Sequence, residues 1–376
     1  MKILIISNLF EQISGGSEYQ AYLYANELIK QGIEVIFLAY VRNGDNYLEI
    51  VRNIRVYHCA PPKWVQKTPV LRNGDIRYSS YRYFAYVLDK EKPDAILQIG
   101  ESSLTGSFVK LGRARNIPFI WVCASDRSLW PHHFCWKAPL GYMGDLLTDY
   151  GIRNATRHFL QNQEQIDCFK KKFQNCEFGT FPNIQPVPDS LPVKDNPPLI
   201  VWVANLKPLK QPELFVKLAE YFAKQYNYKF VMMGRADENY IRQMESNSSR
   251  LPNFRFIGSQ TQDDVNIWLE KASLLVNTSQ FEGFSNTFVQ AWLRKTPVIT
   301  LNVNPSRVFD EHHIGACANN DFDRLCQLVK QFLSEPQQWN QYSEKAYEYA
   351  VNNHSIEKNF PTLLEAINSS IDSLRQ

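Results

Sequence analysis

At 376 residues, with 44% apolar and 21% charged residues, the chain exceeds what one core ordinarily organises at roughly 100 to 200 residues per domain, and it reads as two globular domains. A net charge of +3 gives no electrostatic case for nucleic acid as a partner. No apolar run approaches the roughly 18 residues a membrane span needs, and the opening MKILIIS is too short for a signal h-region, so a soluble, unexported, cytoplasmic protein is expected.

Strand-length apolar runs alternate with helical patterns from the start. KILIIS leads into a loop with Gly15 and Gly16, after which Ser17 and Gln20 form a capping-box pattern for a helix that Gly32 closes. The glycine pair admits two readings: a flexible turn with an ordinary cap, or a close backbone approach that offers N–H groups to an anion. EVIFLAY, DAILQI and PFIWVCA continue the strand series, ending near Ala124, Ser125 and Asp126. The cluster HHFC, from His132 to Cys135, lies on one loop without distant partners and is read as a loop or core feature rather than a metal site. Between Pro182 and Pro198 the proline-rich run PNIQPVPDSLPVKDNPP cannot continue a helix or central strand, so it is expected to link two domains.

A second series follows: LIVWVA, YKFVMMG, FRFIG, LLVNTS and PVITLN. Continuous apolar strands separated by helices indicate parallel sheets buried on both faces, and hence α/β architecture with two doubly wound, Rossmann-like domains. Ligands of such sheets sit at the carboxyl ends of the strands, which directs attention to the loops there. ANLKPLKQPE places Asn205, Lys207 and Lys210 in one such loop, where a lysine is either a phosphate ligand or simply solvated. In FEGFSNTFVQAW, Gly283 permits close approach and the N–H groups of Phe284, Ser285 and Asn286 lie at a helix start. Glu282 would repel phosphate but suits sugar hydroxyls, and Gln290 either binds hydroxyls too or lies on a solvated helix face. Asp321 and Asp323 have the DxD spacing of some metal sites, but they open the helical stretch DFDRLCQLVKQFL, where an N-cap is the better reading. The seven cysteines, Cys59, Cys123, Cys135, Cys168, Cys176, Cys317 and Cys326, are odd in number and contain no CxxC pair, so they are expected as reduced packing residues.

Taken together, ISGGSEYQAYLYANELIKQGIEV, KPDAILQ, YGIRNATRHFLQNQEQ, FPNIQPVP, LIVWVANLKPLKQPELFVKLAE and SQFEGFSNTFVQAW resemble the family 4 (group 1) retaining glycosyltransferases of the GT-B fold, in which a cleft lies between the two domains. The resemblance implies an acceptor-binding domain at 1–183, a proline-rich link at 184–198, a nucleotide-sugar domain at 199–355 and a C-terminal helix at 356–376 that packs back toward the first domain. It implies that Glu282 holds the donor sugar, that Gly283, Phe284, Ser285 and Asn286 bring backbone N–H groups to sugar and phosphate, and that Gln290 stands where a second glutamate binds ribose. Lys210 corresponds to a phosphate-binding lysine, Gly15 and Gly16 to a loop against the phosphates, and Gly234, Ile257 and Gly258 to a base pocket.

The chain departs from that pattern in three places. Gln290 replaces a glutamate, Asn205 replaces an arginine for which Lys207 could compensate, and Ala124 replaces a histidine beside the reacting sugar. Asp126 is the nearest polar substitute, either catalytic or a cap for its own loop. The expected activity is transfer from a nucleoside-diphosphate sugar, UDP-linked in preference to GDP-linked, to a glycan or lipid-linked acceptor, with no metal or other cofactor. Bacterial surface polysaccharide synthesis is the expected setting, at the inner face of the membrane where contact with lipid is peripheral. Arg153, Arg157 and Lys170 to Lys172 either serve that contact or form a solvated face. The rivals are a non-catalytic GT-B subunit, a GT-B epimerase, and a two-lobed binding protein that would need an export signal.

Overall fold

The computed structural model describes residues 1–7, 15–41, 44–67, 81–102, 104–132, 139–190 and 193–375. These form two compact units, Met1–Pro182 together with Asn359–Gln376, and Asn183–Lys358.

In the first unit, β1 (Lys2–Ile6), β2 (Glu34–Tyr40), β3 (Tyr47–Val51), β4 (Ile54–Cys59), β5 (Ala95–Ile99), β6 (Phe119–Val122), β7 (Arg157–Leu160) and β8 (Gly179–Thr180) form one sheet in the order β3-β4-β2-β1-β5-β6-β7-β8. Every neighbouring pair is parallel except the β3–β4 hairpin. Strand order reverses between β1 and β5, the point at which loops diverge and leave a crevice. The runs are apolar throughout because helices cover both faces: Ile3, Ile5, Leu97, Ile120 and Trp121 are fully buried.

The second unit contains β9 (Leu199–Val203), β10 (Lys229–Met233), β11 (Phe254–Phe256), β12 (Leu274–Asn277), β13 (Val298–Thr300) and β14 (Gly315–Cys317), in the order β11-β10-β9-β12-β13-β14. All its pairings are parallel. Successive side chains of a strand point to opposite faces, and each face has its own core. Ile200, Trp202, Phe230 and Met232 join one, and Leu199, Val201, Val231 and Met233 the other. The helix Pro212–Phe222 closes the first of these with Phe215, Leu218, Ala219 and Phe222 at helical spacing. The reversal here lies between β9 and β12.

Three expectations need correction. The helix Gly16–Lys30 has Gly15 as its extended N-cap with no side-chain bond, so the Ser17–Gln20 capping box does not form; Gln20 is buried and the Ser17 hydroxyl turns to Glu18. Gly32 does end the helix, at φ +71°, with its N–H on Ile29 O. The proline-rich run expected as a link at 184–198 belongs to the second unit, whose boundaries fall at Pro182/Asn183 and Lys358/Asn359. Ile184 is buried, Gln185 pairs with Ser355, and Lys194 Nζ donates to Leu269 O, Glu270 O, Arg294 O and Thr296 Oγ1, so tertiary hydrogen bonds hold a segment that lacks regular structure. Lastly, Gln290 is 1% exposed rather than on a solvated face, because the helix Gln262–Lys271 covers it.

The helix Ile356–Arg375 contributes its residues from Asn359 onward to the first unit, where Ile371 shares a groove with Leu88 and Ile117. Cys59, Cys123 and Cys326 are buried free thiols and Cys168, Cys176 and Cys317 are half-buried ones; Cys135 lies outside the described residues. Among the described residues no helix is long and apolar enough to cross a membrane.

Candidate functional site

The switch point of the second sheet brings together the chain leaving β9 and the chain leaving β12. After β9 the backbone reaches a short 3-10 turn, Pro208–Lys210, and then Gln211 at φ +48°, which redirects it into the following helix. The Thr278 hydroxyl, just beyond β12, donates to Lys210 O at 2.7 Å and Gln211 O at 2.9 Å while accepting from Trp202 Nε1 at 2.9 Å. Gln280 N adds a bond to Leu209 O at 2.9 Å. The two loops are thereby fixed to each other, and their side chains meet.

Lys210 Nζ lies 2.5 Å from Glu282 Oε1, with the two side chains 20% and 16% exposed. The same oxygen accepts from Ser279 Oγ at 2.8 Å and Asn277 Nδ2 at 3.3 Å. Three donors thus converge on Oε1, while Oε2 takes no hydrogen bond among the described residues. Such a carboxylate is held in place by one oxygen and can accept from ligand hydroxyls with the other. The ammonium, in turn, can exchange its carboxylate partner for an incoming phosphate.

The neighbouring residues divide into those that present backbone and those that present side chains. The Phe284 ring is buried against His354 and Trp292, and Phe284 O accepts from Asn183 Nδ2 at 2.6 Å, so only its main chain is available to a ligand. Gly283 precedes it, and Ser285 is the N-cap of the helix Asn286–Trp292, with no side-chain cap bond and its hydroxyl shared with Thr287 Oγ1 at 2.8 Å. Asn286 starts the helix. Gln290 Nε2 donates to Gln262 Oε1 at 3.1 Å and Asn266 Oδ1 at 3.0 Å, which fixes the amide from the adjacent helix.

Asn205 and the exposed Lys207 precede Lys210 in the β9 loop. Leu206 N bonds Arg235 O at 2.8 Å, which places Arg235, a cation the sequence reading passed over, beside that loop. Gly234 sits at φ +156°, and a Cβ there would lie 1.7 Å from Ala204 O. Its lack of a side chain is thus required by packing between the β9 and β10 loops. Gly234 N also bonds Gly258 O at 2.8 Å, Gly258 lies at φ +71°, and Ile257 N bonds Met232 O, so these residues gather the ends of β10 and β11 on the same edge of the sheet.

In the first unit, Glu18 folds back over the helix start, and its Oε2 would lie 2.5 Å from a Cβ on Gly15, beside Gly16. Asp126 opens the 3-10 segment Asp126–Leu129 and accepts from Gln165 Nε2 at 2.9 Å. Sequence reading missed Glu101, one residue past Gly100 at the end of β5. Burial pushes its carboxyl up to about 7, against the opposite pull of the Ser128 hydroxyl and the Lys172 ammonium. A lone acid after a glycine gives no hint in the sequence of such burial.

His132 contacts Asp149 at 3.0 Å and Lys172 at 2.8 Å, while residues 133–135 of the expected cluster lie outside the described residues. Asp321 caps the helix Phe322–Ser334 by accepting from Arg324 N at 3.0 Å, and Asp323 lies in its first turn. Among the described residues no group of three or more His, Cys, Asp or Glu is arranged to hold a metal ion. Of the basic residues, Arg153 lies over the Phe173 ring, Arg157 pairs with Glu177, and Lys170 lies over Phe178.

Comparison with known proteins bears on the same region. Residues 184–349 match the family model described as glycosyl transferases group 1. The curated glycosyltransferase 1 domain-containing protein 1 of Xenopus tropicalis is 24% identical over 164 residues, 42% of this chain and 47% of that protein, so the match spans about half of the relative. Sucrose-phosphate synthase from Thermosynechococcus elongatus has a TM-score of 0.79 at 13% identity, covering 99% of this chain and 100% of that one. HepE of Anabaena, solved in complex with UDP and glucose, has a TM-score of 0.72 at 14% identity, covering 98% and 100%. At those identities the likeness to both structures is one of fold.

Proposed function

We propose, for a chain of GT-B fold whose residues 184–349 belong to the group 1 glycosyl transferases, that it is a retaining, family 4 type enzyme moving a sugar from a nucleoside diphosphate to a hydroxyl of a glycan or lipid-linked glycan. The observation that carries this reading is the convergence of Lys210, Ser279 and Asn277 on one oxygen of Glu282 at the switch point of the second sheet. Lys210, with the backbone from Gly283 to Asn286, meets the charge that develops on the departing diphosphate; removing one such donor typically costs about 2.7 to 4 kcal/mol of barrier. Glu282 orients the sugar through its hydroxyls, a proximity effect rather than proton chemistry. Ile257, Gly258 and Gly234 line the base, and Gln290 reaches the ribose only by exchanging its contacts with Gln262 and Asn266. UDP is favoured over GDP as the nucleotide, supported by the ligand of the Anabaena fold relative.

The first unit takes the acceptor, and Gly15 and Gly16 approach the donor phosphates. Transfer needs no metal, in keeping with the engagement of Asp321 as a helix cap. The protein acts in the cytoplasm on a surface-polysaccharide precursor at the inner face of the membrane, with peripheral lipid contact. The test is a panel of UDP-, GDP- and ADP-sugars assayed for nucleoside diphosphate release with and without glycan acceptors. Release from one donor class, enhanced by an acceptor, is expected. Nucleotide binding with no release across the whole panel would instead favour a non-catalytic sugar-nucleotide-binding subunit.

A further inference from the structure

Lys194 sits where the ends of two helices of the second unit meet. Its Nζ donates to Leu269 O at 3.4 Å, Glu270 O at 3.2 Å, Arg294 O at 2.6 Å and Thr296 Oγ1 at 2.7 Å. Leu269 and Glu270 lie in the last turn of the helix Gln262–Lys271, and Arg294 in the turn that follows the helix Asn286–Trp292. Carbonyls at and just beyond a helix end have no partner further along the helix and carry the negative pole of its dipole, so one ammonium suits both ends at once.

Further contacts fix how the two helices lie. Gln290 Nε2 is held by Gln262 and Asn266, Arg294 Nη1 donates to Gln290 O at 3.2 Å, and Arg294 Nε lies 3.4 Å from Glu270 Oε1. These partners advance in the same direction along both helices, so the two run side by side with their C-terminal ends together. Parallel helix dipoles repel, and the Lys194 charge at the shared negative end offsets that repulsion. Thr296 Oγ1 adds a bond to Leu269 O at 2.8 Å, and Asp195 N one to Lys271 O at 2.9 Å. A slip of one helical turn between the helices, about 5.4 Å, would carry Gln262 and Asn266 away from Gln290.

We propose that Lys194 is a positioning residue for ribose recognition: its ammonium keeps the helix Gln262–Lys271 in register with the helix Asn286–Trp292, and that register sets where the Gln290 amide stands. This rests on the transferase reading, in which Gln290 meets the ribose, and adds to it a residue that acts through Gln262 and Asn266 without touching the nucleotide. The hold depends on the proton. Burial lowers the Lys194 ammonium to about 7, with Arg294 pushing the same way and Glu270 opposing. Those are the charged groups that face it from the two helices, since the Lys271 ammonium lies over the Trp268 ring. Once neutral, the amine keeps two N–H groups for four acceptors, and the charge at the paired helix ends is gone.

The experiment titrates UDP and 2′,3′-dideoxy-UDP, which lacks both ribose hydroxyls, into the parent, K194M, K194R and Q290A from pH 6 to pH 9 by calorimetry, with folding followed by circular dichroism. The ratio of the two affinities reads the ribose contact alone, because phosphates and base are common to both nucleotides. The parent should favour UDP about tenfold at pH 6, the worth of one or two hydrogen bonds, and lose most of that preference as pH rises through about 7. K194M and Q290A should show little preference at any pH while binding the dideoxy nucleotide within about twofold of the parent, and K194R should keep the preference across the range. A K194M that retains the parent's preference, or that binds both nucleotides more weakly by one factor as a purely structural staple would, overturns the proposal. So does a parent preference that stays level from pH 6 to pH 9, a result that needs no variant to fold. A parent that binds both nucleotides equally at pH 6 refutes the ribose contact and this proposal with it, whereas a parent that binds neither refutes the nucleotide reading of the second unit itself.

Discussion

His354 offers a quantitative test of how the loop carrying Phe284 is braced. It ends the helix Pro336–His354 at 3% exposure, its Nδ1 donates to Asn183 O at 2.9 Å, and its ring packs on Phe284 with centroids 4.7 Å apart. Nε2 is buried without a partner, so protonation would force an unmatched N–H and a charge into apolar surroundings; burial accordingly lowers the imidazole to about 4. The sign follows from which state binds the proton first. The unfolded chain, with its imidazole near 6.5, protonates before the folded one, so stability is full above about 6.5, falls as pH drops toward about 4, and is level below that. A gap of about 2.5 pH units, at about 1.36 kcal/mol for each, amounts to about 3 kcal/mol. Urea unfolding of the parent and His354→Phe from pH 7.5 to 3.5 reads this directly, with the imidazole resonance of His354 followed by NMR. The variant should be weaker at neutral pH by about 1 to 3 kcal/mol, because Asn183 O loses its donor, yet its acid limb should be flatter by the amount above. Equal acid slopes in the two proteins, or an imidazole that titrates near 6.5, would refute the reasoning.

Glu282→Ala should abolish most sugar transfer while UDP binds as well as or better than to the parent, since Lys210 loses the carboxylate that competes with phosphate; weakened UDP binding in calorimetry would count against the exchange of partners. Gly234→Ala should destabilise the protein by about 3 kcal/mol in chemical denaturation, because its Cβ would overlap Ala204 O and its φ of +156° is strained for any other residue. A change below about 0.5 kcal/mol would show that the loop relaxes freely. Sugar transfer should continue in excess chelator, and loss of activity restored by manganese would return Asp321 and Asp323 to consideration as ligands.

Much of the architecture was legible because parallel strands buried on both faces leave unbroken apolar runs, as in KILII and LIVWV. The loop residues Lys210 and Glu282 could also be singled out, since their positions follow from where strands end. What escaped were features decided by distant neighbours. The proline run looked like a link because its local pattern is broken, whereas its fixation depends on Lys194 reaching carbonyls 75, 76 and 100 residues away. The solvated-face reading of Gln290 stayed open beside the hydroxyl-binding one because nothing in its own helix shows that Gln262 and Asn266 cover it. Ser17 had the composition of a cap, but the chain turns one residue pair earlier, at Gly15. Glu101 shows the same limit, its carboxyl raised by a burial that no neighbour in sequence foretells.

The most direct test of the central claim is calorimetric titration of UDP into the parent and Lys210→Ala. The account predicts one site in the parent and at least about tenfold weaker binding in the variant, the loss expected for a charge-assisted contact, with the fold unchanged by circular dichroism. Absence of binding by UDP, GDP and ADP alike, or equal affinity in the two proteins, would contradict it.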